Sequence, residues 1–210
     1  MSGDRRAVGR EHGPSAAALL PRLKRNGCNL LVAGPASEET ANRATQRLFG
    51  SPDLERKRVL VRTGGDATPD ELLPSGVSAT DPDVRVVQYR ASPEDADPLA
   101  SLARRVAAVV TSFDASSPLV GGELRLAVTS LEDVVADHDT LAAEQFLRRV
   151  ADAVASVRGM GHYRYLGPRG DLSALPVDRL FDAFVDLREH PRAAQRLSAP
   201  ATRPTEWVDL

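Results

Sequence analysis

The feature that most constrains this chain is a series of short apolar runs, each ending at a breaker and each separated from the next by a segment of helical periodicity. Residues 28–35 read CNLLVAGP. The run is continuous rather than alternating, which marks a strand buried on both faces. VLVRT, VRVVQYR, ELRLAVTS, GHYRYLG and FVDLRE follow in order as five further strands. Between them, SEETANRATQRLFG places Ala41, Ala44, Leu48 and Thr45 on one helical face and stops at Gly50. PEDADPLASLARRVAAVVTSF sets Leu99, Leu102, Val106 and Val109 at helical spacing, and TLAAEQFLRRVADAVASVRG does the same with Ala143, Phe146, Leu147, Val150, Val154 and Val157.

TPDELLPSG and VDRLFDAF read as short helical turns, and SAAALLPRLKRNG as a short helix interrupted at Pro21 and closed at Gly27. Strands alternating with helices imply βαβ units, hence an α/β fold with three layers: a mostly parallel sheet and helices on both faces. Residues 1–14, charged and Gly-containing, read as a disordered leader; 15–190 form the α/β domain; 191–210 are a tail or edge strands.

In such folds ligands bind beyond the carboxyl ends of the strands, so the turn after the first strand comes first. A phosphate-binding loop needs glycines that let backbone N–H groups surround the phosphates, a lysine for their charge and a hydroxyl for Mg²⁺, at the spacing G-x-x-x-x-G-K-[ST]. Here AGPASEET puts Ala33 at the first glycine, followed by Gly34, Pro35, Ala36 and Ser37; Glu38 takes the second glycine, Glu39 the lysine and Thr40 the magnesium hydroxyl. A carboxylate in the lysine position repels a phosphate by about 4 kcal/mol per pair of unit charges at about 4 Å and an effective dielectric near 20. The same letters describe a capped helix start, with Ser37 as N-cap and Glu38, Glu39 and Thr40 in the first turn.

The order of elements, the Gly-Pro after the first strand, and ELRLAVTSLEDVVADHDTLAAEQFLRRVADAVASVRGMGHYRYLG followed by LFDAFVDLRE resemble the RecA-like ATPases of the KaiC type, over roughly residues 17 to 190. Within that group the chain is similar to degenerate haloarchaeal proteins without intact nucleotide motifs. The resemblance implies a RecA-like fold and vestigial nucleotide motifs at 34–40 and at Thr129 and Ser130. Thr129 stands where the family's magnesium-linked Asp belongs, and Ser130 is kept. The acid that orients water in the family falls among Asp66, Asp70 and Glu71. With the lysine and the Asp both replaced, phosphoryl transfer loses its charge neutralisation and its metal anchor. The expectation is a noncatalytic pseudo-ATPase domain without a cofactor, acting through a protein partner or self-association in regulation or signalling. The rival is a nucleotide-binding protein using Thr40, Ser130 and the arginines near 164 to 169.

The remaining features point to no second chemistry. His12, His138, His162 and His190 lack metal-ligand spacing and read as surface or loop residues. His138, between Asp137 and Asp139, lies at a strand-to-helix connection that Asp139 or Thr140 caps. GHYRYLGPRG gathers His162, Tyr163, Arg164, Tyr165 and Arg169, residues able to stack on bases, although strand alternation yields the same letters. A net charge of −2 gives no general attraction for nucleic acid or anionic membranes. Cys28 is the single cysteine and lies in an apolar run, which suits a core thiol and a cytoplasmic setting. Only two of 27 basic residues are lysines, and isoleucine is absent, usage that fits a high-GC genome and a salt-adapted surface.

Overall fold

A computed structural model describes residues 16–92 and 94–210, so the leader assigned to 1–14 lies outside the described residues. The elements run α1 (Ala16–Asn26), β1 (Cys28–Ala33), α2 (Glu38–Phe49), β2 (Lys57–Arg62), α3 (Pro69–Leu72), β3 (Val84–Gln88) and α4 (Pro98–Ser116). Then follow β4 (Leu124–Val128), α5 (Leu131–Asp137), α6 (Thr140–Ser156), β5 (Met160–Tyr165), α7 (Val177–Leu180), β6 (Ala183–Arg188), β7 (Ala194–Ser198) and β8 (Val208–Asp209). One eight-stranded sheet has the order β3-β2-β4-β5-β1-β6-β7-β8. The first six strands are parallel, while β7 and β8 add an antiparallel edge from the tail. No helix among the described residues is long and apolar enough to cross a membrane.

The period of two along each strand divides the core into two layers. Leu31, Val61, Leu126 and Tyr163 face one side, where Leu102 and Val106 of α4 and Phe146 and Val150 of α6 meet them. Leu30, Val32 and Val185 face the other and pack on Ala41 and Ala44 of α2, beside a smaller cluster of Phe49, Leu60 and Leu72. Helices therefore cover both faces. Phe146 is fully buried, and burial of a side chain of that size contributes about 1.5–3 kcal/mol.

Three expectations need correction. α1 continues through Pro21; the missing N–H costs one hydrogen bond, but Leu23 of the same helix packs on the Cys28 cluster and holds the segment in place. In α4 the inward positions beyond Val106 are Val110 and Phe113, with Val109 only half-buried, because the 3.6-residue period drifts over a helix of this length. α5 was not foreseen. Ser130 caps it by accepting the Asp133 N–H at 3.3 Å, a local bond available to any serine after a strand.

Candidate functional site

β1 lies between β5 and β6, so the turn after it opens beside the last residues of both. Gly34 makes the sharpest approach: its φ is +145°, and a Cβ there would stand 2.2 Å from the Leu187 carbonyl oxygen of β6. Only glycine fits so close a backbone. Pro35 is exposed, and Ala36 packs on the Cys28 cluster. Ser37 then caps α2, its hydroxyl accepting the Thr40 N–H at 3.2 Å.

The free end of α2 is occupied. Glu189, the first residue past β6, accepts the Ser37 backbone N–H at 3.0 Å and the Ser37 hydroxyl at 3.0 Å. The Ser37 N–H bond holds the Glu189 carboxyl below the usual carboxylate range, with further help from the Thr40 and Ser37 hydroxyls. A helix N-terminus attracts anions through its unpaired N–H groups and dipole; here the anion is a side chain from 152 residues away. The Ser37 cap with Glu38, Glu39 and Thr40 in the first turn was legible in the sequence; the added carboxylate of Glu189 was not. A carboxylate following a strand that pairs with β1 was the signal.

Glu38 is held from below. Its carboxylate pairs at 3.0 Å with Arg164, which is 3% exposed against 59% for Glu38, and Arg164 also donates to the Asn42 side-chain oxygen at 2.8 Å. Arg164 thus neutralises one of the two glutamates, with both Nη atoms engaged and its Nε buried without a partner among the described residues. Thr40 is fully buried, and Glu39 is exposed. The groove outside α2, about 730 Å³, is lined by Glu38, Glu39, Asp66 and Glu71 against a single arginine, Arg43. Such a wall repels a polyphosphate.

The second expected motif is built into the frame. Thr129 accepts the Thr63 N–H at 3.2 Å and donates to the Gly64 carbonyl at 3.1 Å. Ser130 donates its hydroxyl to Glu132 at 3.0 Å, and its N–H bonds the Thr63 hydroxyl, which in turn donates to the Ser130 carbonyl at 2.6 Å. These bonds tie the ends of β2 and β4 together, and Thr129 and Ser130 are both buried. Of the candidate acids, Glu71 accepts the Thr68 N–H and Asp70 the Ala79 N–H; Asp66 and Glu71 are both exposed on the groove.

β5 corrects the histidine expectation. His162 is 2% exposed, edge-on to Phe49 at 5.1 Å, and burial drives its pKa down to about 3, with Arg125 and Arg164 adding to the effect. It is a neutral core residue. Tyr163 is buried and donates to the Asn29 side chain at 2.9 Å, and Arg169 lies over the Phe184 ring at 4.0 Å, so these two side chains are engaged within the fold. His138 lies 2.9 Å from the Tyr89 hydroxyl, and Asp139 caps α6 through the Ala142 N–H. Burial pushes the Cys28 thiol up to about 12, which leaves it inert. Among the described residues no group of three or more His, Cys, Asp or Glu is placed to hold a metal ion.

Residues 27–187, which hold both loops and the six parallel strands apart from Arg188 at the end of β6, match a family of unknown function, DUF7504. The chain belongs to that family. No curated protein matches it. In this DUF7504 chain the matched region stops two residues short of Glu189, so the carboxylate seated on α2 comes from just outside it.

Proposed function

We propose that this chain is a noncatalytic RecA-like domain, a pseudo-ATPase of KaiC type that works through protein contacts in regulation or signalling. The observation that carries this reading is Glu189 on the Ser37 N–H and hydroxyl: the position a phosphate would take is filled by the chain's own carboxylate. The acidic groove and the engagement of Thr129 and Ser130 in bonds between strand ends support it. The motif positions carry Glu39 in place of the lysine and Thr129 in place of the magnesium-linked Asp that phosphoryl transfer in such folds uses.

For the contacts, support comes from β3. It pairs on one side only, with β2, and presents Arg85, Val86 and Gln88 to solvent. A free strand edge offers unpaired N–H and C=O groups to a partner strand or to a second copy.

Thermal unfolding in low and high potassium chloride, with and without millimolar Mg-ATP, tests the reading. A ligand at about 100 times its Kd stabilises a fold by roughly 2.7 kcal/mol, a shift of several degrees in a domain of this size. No shift is expected. A nucleotide-specific shift overturns the noncatalytic reading, and sedimentation of the purified chain then separates self-association from a need for another partner.

A further inference from the structure

At the opposite end of the sheet a cavity of about 680 Å³ opens between α1, the C-terminal end of α2 and the β7–β8 edge. Volumes of about 300–1,000 Å³ are typical of small-molecule sites. Leu30, Leu48, Met160 and Val185 form its apolar wall. Arg125, the second residue of β4, also lines it. It is 7% exposed, its Nε is buried without a partner, and among the described residues its guanidinium makes no hydrogen bond and no ion pair.

The charges around Arg125 do not compensate it. Arg58 stands directly opposite in the register of β2, and Arg56 and Lys24 line the same cavity. Arg47 and Arg196 are already engaged, with the Asp209 carbonyl and the Asp186 carboxylate. Glu206 is the one carboxylate on the wall, and it is exposed and makes no ion pair among the described residues. A guanidinium sunk in an apolar wall among like charges calls for an anion. The oily surroundings call for an apolar body attached to it.

We propose that this cavity binds a small amphipathic anion, its carboxylate or phosphate head on Arg125 and its apolar body along Leu30, Leu48, Met160 and Val185. Arg56, whose Nη1 donates to the Gly122 carbonyl at 3.1 Å while its Nε has no partner among the described residues, flanks the head. Leu54 and Val208, 50% and 45% exposed, stand at the mouth. This site is separate from α2's N-terminus and does not rest on the noncatalytic reading.

Calorimetric titration of the full chain with decanoate and with decyl phosphate, below their micellar concentrations, tests the proposal, with 1-decanol and inorganic phosphate as matched probes. At least one of the two amphiphiles should bind, and each of the matched probes at least tenfold more weakly. Arg125→Met keeps the volume and removes the head's partner; Leu54→Glu places a carboxylate at the exposed mouth, where the fold is not at stake. Each should weaken binding at least tenfold. Binding by neither amphiphile, binding of decanol as tight as that of decanoate, or unchanged affinity in both variants would overturn the site. Should Arg125→Met fail to fold, Leu54→Glu alone decides.

Discussion

The two ends of the central sheet treat charge in opposite ways. At the carboxyl end the turn and the strand ends are tied inside the chain: Ser37 holds Glu189, Arg164 holds Glu38 and Asn42, and Thr129 and Ser130 bond to residues 63 and 64. At the amino end Arg125 sits in a cavity with one apolar wall and several other cations, with no partner among the described residues. Parallel α/β folds place ligands at the carboxyl end. In this chain the loop positions at that end are taken up by bonds within the chain, and the buried arginine for which we propose a ligand lies at the other. A fold therefore does not by itself say where its site is.

The largest expected effect breaks the carboxyl end mechanically. Gly34→Ala drives a Cβ into the Leu187 carbonyl and should cost about 3 kcal/mol or more in urea unfolding, through clash and backbone strain together. A loss below 1 kcal/mol would mean that the turn has room to open. His162 comes next. Its folded pKa is about 3 against an ordinary 6.5, so the unfolded chain takes up the proton first and stability is lost as pH falls below 6.5. Between pH 7 and pH 5, where carboxylates titrate little, the loss should be about 2 kcal/mol. His162→Met should abolish it.

At the amino end the sign reverses. Arg125→Met should stabilise the chain by about 1 kcal/mol, because a buried cation without a partner gives way to an apolar side chain of similar reach. Destabilisation would show that the cavity supplies a partner for Arg125 after all. The smallest effect belongs to Glu189→Gln. The folded pKa of Glu189 lies below its ordinary 4.5, so its contribution is present above that value and is lost as pH falls through the lowered pKa. The variant should lower stability slightly at neutral pH and flatten the acid limb below pH about 4.5, where the two chains converge.

Much of the fold was legible because the physics that sets it is local. CNLLVA reads as a strand buried on two faces, Ser37 as a cap and the Phe146 face of α6 as core, and each follows from neighbours in sequence. What was missed depends on distant partners. Glu189 reaches Ser37 only because β6 pairs with β1, a fact of topology and not of composition. His162 and Arg125 carried a readable sign: a polar residue inside a central parallel strand has no solvent-facing side to take, so it must be paired, neutral or waiting for a ligand. Taking HYRY as an alternating strand with one wet face hid that inference. Pro21 misled in the other direction, since a tertiary contact through Leu23 outweighs one lost hydrogen bond.

The most direct test of the carboxyl end is a ¹³C NMR titration of the Glu189 carboxylate, run with and without millimolar Mg-ATP. The account predicts a pKa below the ordinary glutamate value and no change on adding nucleotide, with the Ser37 amide titrating in step. An ordinary pKa, or a Glu189 resonance that moves as Mg-ATP displaces the carboxylate from α2, would contradict it.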